Sequence, residues 1–336
     1  MEIIEAGPLT TVQDMGRIGY AALGYPQNGA CDKYSMKMAN LFAGNGGSME
    51  TSAVLEFTMK GGAIRFTAAH VLALAGADMG PAVNGTPVSM YSPISVIAGD
   101  VLTMGMARAG LRCYLAVCGG ICVPLVLGSH STDIKCGLGG FRGRALKKGD
   151  VLETGTDTEF MSAVRFLPDM GLDALAGEFA PWFCTPSSRF RYRGLKRSVI
   201  LRTVAGPQEE AFTQRGMDTF SGGVYQLTQQ CDRMACRLNG PPVEAREGSD
   251  VISDGILEGS VQIASDGMPM VMMADHQTIG GYAKIGTVIT ADIPALAQLR
   301  PGETVVFRFV SPEEGIVLYR KEQRKLQWLK ERMCMR

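Results

Sequence analysis

Short apolar segments rich in β-branched residues recur along the chain and are separated by Gly, Pro, Asn and Asp. The clearest of them are AIRFTAA, HVLALAG, SVIAGDVLTM, RCYLAVCGG, SVILRTVAG and TVVFRFV. Stretches with strong helical periodicity are rare. Short runs bounded by turn-forming residues are typical of all-β sandwiches and barrels. The pattern therefore predicts a mostly β protein with few short helices.

Two segments are predicted to be helical. In the first, CDKYSMKMANLFAG, Asp32 is placed to cap the N-terminus. Its core-facing residues would be Met36, Ala39, Leu41 and Phe42. The second is the C-terminal PEEGIVLYRKEQRKLQWLKERM, which predicts a surface or partner-contacting helix with a basic end.

Four short matches between the two halves of the chain indicate an internal repeat. They are Ala-Gly-Pro at 6 and 205, Cys-Asp-basic at 31 and 231, Leu-Glu at 55 and 257, and Gly-acid at 99 and 302. The offsets, 199, 200, 202 and 203, keep one order and drift slowly. This favours a duplicated β module whose copies start near residues 1 and 197.

The repeat suggests the domain organisation. We expect an N-terminal β domain over residues 1–195, including an extension and a linker arm, and a second β domain over 196–312. The stretch PWFCTPSSRFRYRGLKR is the expected linker or exposed arm, and residues 313–336 form the helical tail.

The charge balance and the cysteines limit the class of protein. The chain has 33 basic and 33 acidic residues, which argues against nucleic acid or an anionic membrane as the main partner. No apolar run approaches the ~18 residues of a spanning helix, and the N-terminus lacks the pattern of a signal peptide. Nine cysteines, an odd number, do not suggest a secreted disulfide framework. We therefore expect a reduced, cytoplasmic protein.

Three short motifs invite a functional interpretation but favour a structural one. Lys37 in SMKMAN resembles a biotin attachment lysine, yet its surroundings suit a helix better than a hairpin tip, so we expect no covalent biotin on this chain. LGSHSTD holds Ser, His and Asp, but without a nucleophile elbow it favours a hydroxyl-rich loop. Cys118 and Cys122 in CGGIC favour small buried thiols, and we predict no metal site.

Two Gly-rich segments leave alternatives open. GLGGFRGRALKKGD is either an anion nest, in which Arg142 and Arg144 contact carboxylate or phosphate, or an ordinary hairpin. In TVQDMGRIGY, Asp14 and Arg17 either orient a polar ligand or fasten a loop as a structural pair. No Walker A loop occurs anywhere in the chain.

The most polar segment is ADHQTIGGYAKIG, Ala274 to Gly286. Asp275 and His276 follow the apolar run MPMVMMA and should lie where a strand ends. His276 is a candidate proton carrier, and Asp275 could orient it or bind a cation. The remaining candidates for ligand binding are Gln277, Thr278, Gly280, Gly281, Tyr282 and Lys284.

Several long motifs in fixed order resemble those of the biotin-dependent carboxyltransferase family, also described as allophanate hydrolase subunit 2. The matching motifs are TVQDMGRIGY, GYPQNGACD, LAVCGGI, VLGSHSTD, GLGGF, CDRMACRLNG, ISDGILEGSVQIASDGMPMVMMADHQTIGGY and PGETVVFRFVSPEE. They run from about residue 3 to 314, nearly the whole chain. The resemblance implies two cyclophilin-like β-barrel domains, in agreement with the duplicated module. The sequence departs from the family pattern at Cys31 and at Ala235, where the family usually has Gly.

The resemblance implies an enzyme component that shares its active site with other chains. The leading expectation is the C subunit of an ATP-dependent 5-oxoprolinase, which opens 5-oxo-L-proline to L-glutamate. Its partners would be a subunit 1 type protein, equivalent to the B-type component, and a LamB/YcsF-type A component, with ATP bound at an undetermined place in the complex. The alternatives are the carboxyltransferase subunit of a biotin-dependent urea or amide carboxylase, and a regulatory protein that antagonises a histidine-kinase inhibitor.

The same resemblance assigns the candidate site residues. Asp275, Arg17 and Arg233 are the expected catalytic residues. The expected substrate-binding residues are Asp14, Asp32, Gln277, Thr278, Gly280, Gly281 and Tyr282. It also favours Asp275 and the Gly-Gly-Tyr turn over the His276 imidazole as the functional groups of this segment. Mutations in this segment are then expected to be silent in the isolated chain and visible only in the complex.

Overall fold

The computed structural model describes residues 1–156 and 198–334 and divides into two compact units. The first contains Met1–Arg17, the described residues between 32 and 156, and those from Trp328 onward. The second contains Ile18–Cys31 and the described residues from 198 to Gln327. The predicted linker arm lies outside the described residues, and the predicted domain limits stay predictions.

Twelve strands and one helix form the described secondary structure of the first unit, apart from short 3-10 turns. The strands are β1 Glu2–Glu5, β2 Leu9–Gln13, β3 Val54–Thr58, β4 Ala63–Arg65, β5 His70–Asp78, β6 Ala82–Val83, β7 Thr86–Pro87, β8 Ile94–Val96, β9 Val101–Thr103, β10 Ala109–Val117, β11 Ile121–Cys122 and β12 Glu153–Thr154. Two five-stranded sheets have the orders β1-β4-β9-β6-β7 and β2-β3-β10-β5-β8, and β11 pairs with β12.

The helix of this unit, α1, covers Lys33–Phe42 and packs against β5 and β10. Asp32 caps it, accepting hydrogen bonds from the Ser35 backbone nitrogen at 2.8 Å and the Ser35 hydroxyl at 2.6 Å. Within β5, Leu72 and Leu74 join the main core of the unit. Because side chains alternate along a strand, the small residues between them leave room for α1 on the opposite face. The predicted cap and the four predicted core residues, all buried, are confirmed.

The second unit contains a closed barrel of seven strands in the order β13-β20-β17-β18-β15-β14-β21. The strands of the unit are β13 Ser198–Ala205, β14 Val224–Cys231, β15 Ala235–Asn239, β16 Asp250–Gly255, β17 Ser260–Ile263, β18 Pro269–Met272, β19 Ile279–Tyr282, β20 Lys284–Val288 and β21 Thr304–Phe309. The barrel closes through β13 and β21, which run parallel, with Ser198 beside Thr304. The remaining strands, β16 and β19, form a separate two-stranded ribbon.

Helices of the second unit cover the barrel. They are α2 Gln214–Gly222 and α3 Ile293–Ala297; a third, α4 Pro312–Cys334, confirms the predicted C-terminal helix and runs from this unit into the residues grouped with the first. Phe220 of α2 stacks on Phe307 of β21 with ring centroids 4.3 Å apart. Tyr225 packs edge-on against Phe307, and burial raises its pKa to about 12. The aromatic cluster therefore fixes α2 over the barrel wall.

Two of the four repeat matches have the same local structure in both units. A Cβ added at Gly7 would collide with the Lys60 carbonyl oxygen, and one at Gly206 with the Lys284 carbonyl oxygen, so both positions require glycine because backbone approaches closely. Gly99 and Gly302 have φ of 96° and 92°. In both of those turns the acid that follows accepts a hydrogen bond from the backbone nitrogen three residues earlier, at 2.8 and 2.7 Å.

The other two matches differ. Leu55 is fully buried in β3, whereas Leu257 is 69% exposed after β16. Asp32 caps a helix, whereas Asp232 accepts hydrogen bonds from Met234 and Ala235 in a tight turn.

The mostly β architecture predicted from the sequence is confirmed. Among the described residues, no helix is both long enough and apolar enough to cross a bilayer.

Candidate active site in the second unit

The site is built where two strand ends of the barrel meet. Asp275 follows β18, as the sequence predicts, and Arg233 lies in the turn between β14 and β15. β15 and β18 are antiparallel neighbours, so the end of one meets the start of the other. Backbone bonds extend this pairing: Asp275 N donates to Arg233 O at 2.8 Å, and Met273 N to Met234 O at 2.9 Å. The two functional side chains therefore start from backbone held in register.

Arg233 and Asp275 form a two-pronged ion pair. Arg233 Nε donates to Asp275 Oδ2 at 2.8 Å, and Nη2 donates to Asp275 Oδ1 at 2.9 Å. The planar guanidinium fork matches the carboxylate, so the pair fixes both the position and the plane of the acid.

A distant segment completes the site. Asn28 Nδ2 donates to Asp275 Oδ1 at 2.9 Å, Arg233 Nη2 donates to Gly29 O at 2.6 Å, and Arg233 Nη1 lies 3.3 Å from Cys31 Sγ. Asn28 is fully buried at φ 56° and Gly29 follows at φ 91°. Asn tolerates the left-handed region better than other residues with a side chain. Asn28 was not predicted as a site residue, although GYPQNGACD belongs to the family-like motifs.

Exposure separates the roles of the two charged groups. The side chain of Asp275 is 18% exposed, whereas that of Arg233 is 6% exposed. Arg233 is therefore the buried support, and Asp275 is the group that solvent reaches. A carboxylate fixed in this way can accept an N–H or O–H from a bound ligand without reorienting, which is the condition for efficient electrostatic stabilisation.

The segment after Asp275 leads into the ribbon. Ile279–Tyr282 form β19, which pairs with β16, while Gln277 and Thr278 connect it to Asp275. Gly280 has little room for a side chain: a Cβ added there would lie 2.5 Å from Ile256 Cδ1, 2.9 Å from Gln262 Nε2 and 3.5 Å from Gln277 Nε2. The small residue at this position thus keeps the polar groups of the segment close to its backbone.

Gln262 is a second residue that was not predicted from the sequence. It lies in β17, is 1% exposed, and donates from Nε2 to Tyr282 O at 3.1 Å. Its Oε1 has no hydrogen-bond partner among residues 1–156 and 198–334. Gln262 therefore holds the backbone of Tyr282, the last residue of β19.

A buried lysine attaches the ribbon to the barrel. Lys284 of β20 is 4% exposed in its side chain, and its Nζ donates to Asp254 Oδ2 at 2.6 Å and to Gly255 O at 2.7 Å. The hydrogen bond from Lys284, with further bonds from the Gly255 backbone and Gln208, lowers the pKa of Asp254 to about 2. Lys284, a candidate ligand group in the sequence, thus holds the end of β16.

His276 is turned into the protein. The residue is only 6% exposed, and its Nδ1 lies 2.7 Å from the Gln277 carbonyl oxygen. The imidazole therefore orients the backbone of the segment.

Asp14, one of the predicted substrate-binding residues, lies in the first unit at the centre of a hydrogen-bonded loop. Its carboxylate accepts from the hydroxyls of Ser129 at 2.6 Å and Ser131 at 2.5 Å, and from the backbone nitrogens of His130 at 2.6 Å and Gly16 at 2.8 Å. The two serines of LGSHSTD are thus bonded to Asp14, while the His130 ring nitrogen Nδ1 faces Val123 O at 3.0 Å. This geometry confirms a hydroxyl-rich loop.

Arg17 and Asp32 are also parts of the first unit. Arg17 is 2% exposed and donates from Nη2 to the Ser131 carbonyl oxygen. Gly139, at φ 62°, lies so close to this guanidinium that a Cβ would overlap it. Asp32 is used as the cap of α1. The structure therefore groups Asp275 and Arg233 in the second unit and gives Asp14, Arg17 and Asp32 structural contacts within the first.

The other motifs differ in outcome: of the two thiols predicted to be buried, Cys118 is buried, but Cys122 is exposed, so that part of the prediction is wrong. Lys37 lies in α1 as predicted, buried, with Nζ 2.6 Å from Glu50. In the Gly-rich segment, Arg144 makes two hydrogen bonds to Asp150, both 2.8 Å, which favours the structural alternative for that guanidinium. This bond lowers the pKa of Asp150. The absence of biotin and of a metal stays a prediction.

Comparison with known proteins places this geometry in a family. The model of the carboxyltransferase domain, subdomain A and B, matches residues 23–309. The chain belongs to this family. The match includes both halves of the site, Asn28 and the segment from Arg233 to Tyr282.

Individual relatives are similar over most of the chain. It is 33% identical over 332 residues to the C subunit of the Escherichia coli 5-oxoprolinase, covering 98% of this chain and 97% of that protein. The C subunit of the Haemophilus influenzae 5-oxoprolinase is 31% identical, covering 96% and 95%. The crystal structure of the Kluyveromyces lactis urea amidolyase superposes with a TM-score of 0.82 at 26% identity, covering 98% of this chain and 20% of that one. The relatives are thus subunits or parts of enzymes.

Proposed function

We propose that this chain is the C subunit of an ATP-dependent 5-oxoprolinase, which opens 5-oxo-L-proline to L-glutamate. The observation that carries the proposal is the end-to-end match: the chain covers 97% of the length of the E. coli C subunit. By contrast, it covers a fifth of the K. lactis urea amidolyase chain. A match that spans nearly all of a relative supports a shared role better than a match to one segment of a multidomain enzyme.

Asp275 supplies the chemistry that such a site needs. Opening an unstrained lactam requires that the carbonyl carbon be activated for attack by water, that the C–N bond then break, and that the ring N–H be held during attack. Asp275, fixed by Arg233 and Asn28, is an oriented acceptor for that N–H. Gln277 and Thr278 follow Asp275 directly in the chain, and we infer that they bind polar groups of the same ligand. Phosphoryl transfer from ATP belongs to the assembled complex, and no step of it is assigned to this chain.

A second candidate function is carboxyl transfer from carboxybiotin to a urea- or amide-like nitrogen. The TM-score of 0.82 with the urea amidolyase favours it, because the backbone that holds the site is shared. An acceptor for an N–H suits both reactions, since both act at an amide-type nitrogen. The reactions differ in what they need: one requires ATP and water, the other a biotin carrier.

The test is reconstitution. The purified chain is combined with its B-type and LamB/YcsF-type partners, 5-oxoproline and ATP, and glutamate is measured. We expect glutamate to accumulate only with all three chains and ATP present. A folded three-chain complex that forms no glutamate would contradict the proposal.

A parallel reaction separates the two candidates. The same chain and its B-type partner are supplied with a carboxylated biotin carrier and urea, and loss of the carboxyl group from the carrier is followed. Under the 5-oxoprolinase proposal, the carrier loses its carboxyl group no faster with the chain than without it. Discharge that depends on the chain, together with no glutamate in the first reaction, would favour carboxyl transfer.

A further inference from the structure

Two cysteines face each other at the base of the turn that carries Arg233. Cys231 ends β14, Cys236 lies in β15, and the strand register pairs them directly. Both are reduced thiols. The sequence between them is Asp-Arg-Met-Ala, so the pair encloses the turn on which the candidate site depends.

The hydrogen bonds of the turn define the geometry of this pair. Asp232 N donates to Ala235 O at 3.1 Å, so the residues one step further out form a non-hydrogen-bonded pair of the antiparallel ladder. Opposed residues of that type have side chains on one face and Cα atoms about 4.5 Å apart. Disulfides span Cα separations of roughly 4.4–6.8 Å. The two sulfurs can therefore join without a change of register.

The two thiols differ in exposure. Cys231 is partly exposed, and its Sγ lies 3.6 Å from the Arg237 carbonyl oxygen, whereas Cys236 is 3% exposed. A small oxidant reaches Cys231 first. Cys236, held opposite, is then the nearest thiol on the strand register.

We propose that Cys231 and Cys236 form an oxidisable dithiol that takes a hydroperoxide as its oxidant. The Cys231 thiolate attacks the peroxide oxygen, the O–O bond breaks, and with hydrogen peroxide the products are a sulfenic acid and hydroxide, which takes up a proton to become water. The Cys236 sulfur then displaces hydroxide from the Cys231 sulfur, giving a disulfide and a second water. Two thiols are oxidised by two electrons and one peroxide is reduced.

The disulfide changes the support of the candidate site. The same turn contributes the Arg233 fork and the backbone carbonyls that bind Met273 N and Asp275 N. A disulfide brings the two sulfurs to about 2 Å from each other, closer than they lie as separate thiols, and so shifts the turn that carries Arg233. Asp275 depends on the geometry of the unlinked turn, so oxidation lowers activity. This consequence rests on the proposed function; formation of the disulfide does not.

The linkage is tested on the isolated full chain. The protein is treated with hydrogen peroxide, alkylated, digested with trypsin without reduction, and mapped by mass spectrometry. Cleavage after Arg233 separates the two cysteines, so a disulfide holds the two peptides together until a reductant is added. We expect this linked pair in the wild type and in the control Cys122→Ser, whose cysteine is exposed elsewhere, and not in Cys231→Ser or Cys236→Ala.

Other products would overturn the proposal. They are sulfinic acid at Cys231 with Cys236 still alkylated, a linkage of Cys231 to another cysteine, or no reaction at either residue. Cys231→Ser changes a partly exposed residue, so the comparison does not depend on tolerance of the buried position.

The effect on activity is tested in the reconstituted complex. Peroxide treatment of the wild-type chain before assembly should lower glutamate formation about tenfold, with recovery on adding dithiothreitol and no loss in Cys231→Ser. If the disulfide is mapped but glutamate formation is unchanged, the claim that the disulfide controls the site is wrong. Absence of glutamate from the untreated complex would instead contradict the proposed function and leave the mapped linkage valid.

Discussion

At the scale of single residues, the site depends on a buried guanidinium that holds a more exposed carboxylate. Arg233 directs its donors to Asp275, Gly29 O and Cys31, and these partners come from two segments more than 200 residues apart in the chain. A guanidinium can serve all of them at once because its donors form a rigid planar fork. A point charge on a flexible stem cannot do so.

Arg233→Lys is therefore expected to be a severe change despite keeping the charge. The ammonium can bond Asp275 through one contact but loses the second prong and leaves Gly29 O without its donor. Glutamate formation by the complex should fall by about a hundredfold, the size of effect expected from a misplacement of about 1 Å. Steady-state kinetics of the reconstituted complex measure it.

The matched control is Arg237→Lys, four residues along on β15. Arg237 pairs with Asp266 at 2.6 Å, but both side chains are well exposed, so the pair contributes at most about 1 kcal/mol. Activity and unfolding free energy should stay close to wild type. Equal losses in the two lysine variants would mean that the buried fork has no special role.

At the scale of elements, the two units share local backbone geometry but differ in the packing around it. Gly7 and Gly206 follow the first strand of each unit, β1 and β13, and both face a carbonyl oxygen at a distance that excludes a Cβ. The sequence could reveal these positions because a backbone constraint leaves a fixed residue type. It could not reveal that Leu55 is buried and Leu257 exposed, since burial depends on what packs above each strand.

Gly206→Ala and Gly7→Ala should both destabilise the chain by about 1–3 kcal/mol, because rigid backbone must move to accept the new methyl group. Gly222→Ala is the control, since no atom lies within 4 Å of the position its Cβ would take. Urea unfolding of the purified chain measures all three. A wild-type midpoint for Gly206→Ala would contradict the packing described for the end of β13.

His70 gives the first unit a pH dependence. Burial, and secondarily the charge of the N-terminal ammonium, lowers the pKa of His70 from its ordinary 6.5. The unfolded chain therefore binds a proton more readily, so the contribution of neutral His70 is complete above pH 6.5 and is lost as pH falls toward the lowered pKa. In the wild type, the melting temperature should therefore decrease as the pH falls from 6.5 toward the lowered pKa of His70.

The His70→Gln variant is uncharged and can still bond Thr154, whose hydroxyl lies 3.3 Å from His70 Nε2. Its melting temperature should change less over the same interval below pH 6.5. An identical pH dependence in both proteins would exclude His70 as the cause.

At the scale of the whole molecule, the mostly β fold, its apolar strands and helix α1 were predictable because each depends on local pattern. Asp275 was predicted from its polar segment, and Arg233 only through the family-like motifs. Asn28 and Gln262 were not anticipated, since their roles depend on which strand ends the topology brings together. Asp14, in an equally polar motif, has Ser129 and Ser131 as partners. The polarity of a motif therefore did not distinguish residues that hold a loop from residues of the candidate active site.

The central claim is that Asp275, held by Arg233 and Asn28, works at an amide within a multi-subunit 5-oxoprolinase. The most direct measurement is glutamate formation from 5-oxoproline and ATP by the reconstituted complex, with wild-type chain and with Asp275→Asn, after gel filtration has shown that both assemble. We predict ATP-dependent glutamate from the wild type and a fall in kcat of about a hundredfold or more in Asp275→Asn. An assembled Asp275→Asn complex with wild-type kcat, or an assembled wild-type complex that makes no glutamate, would contradict this claim.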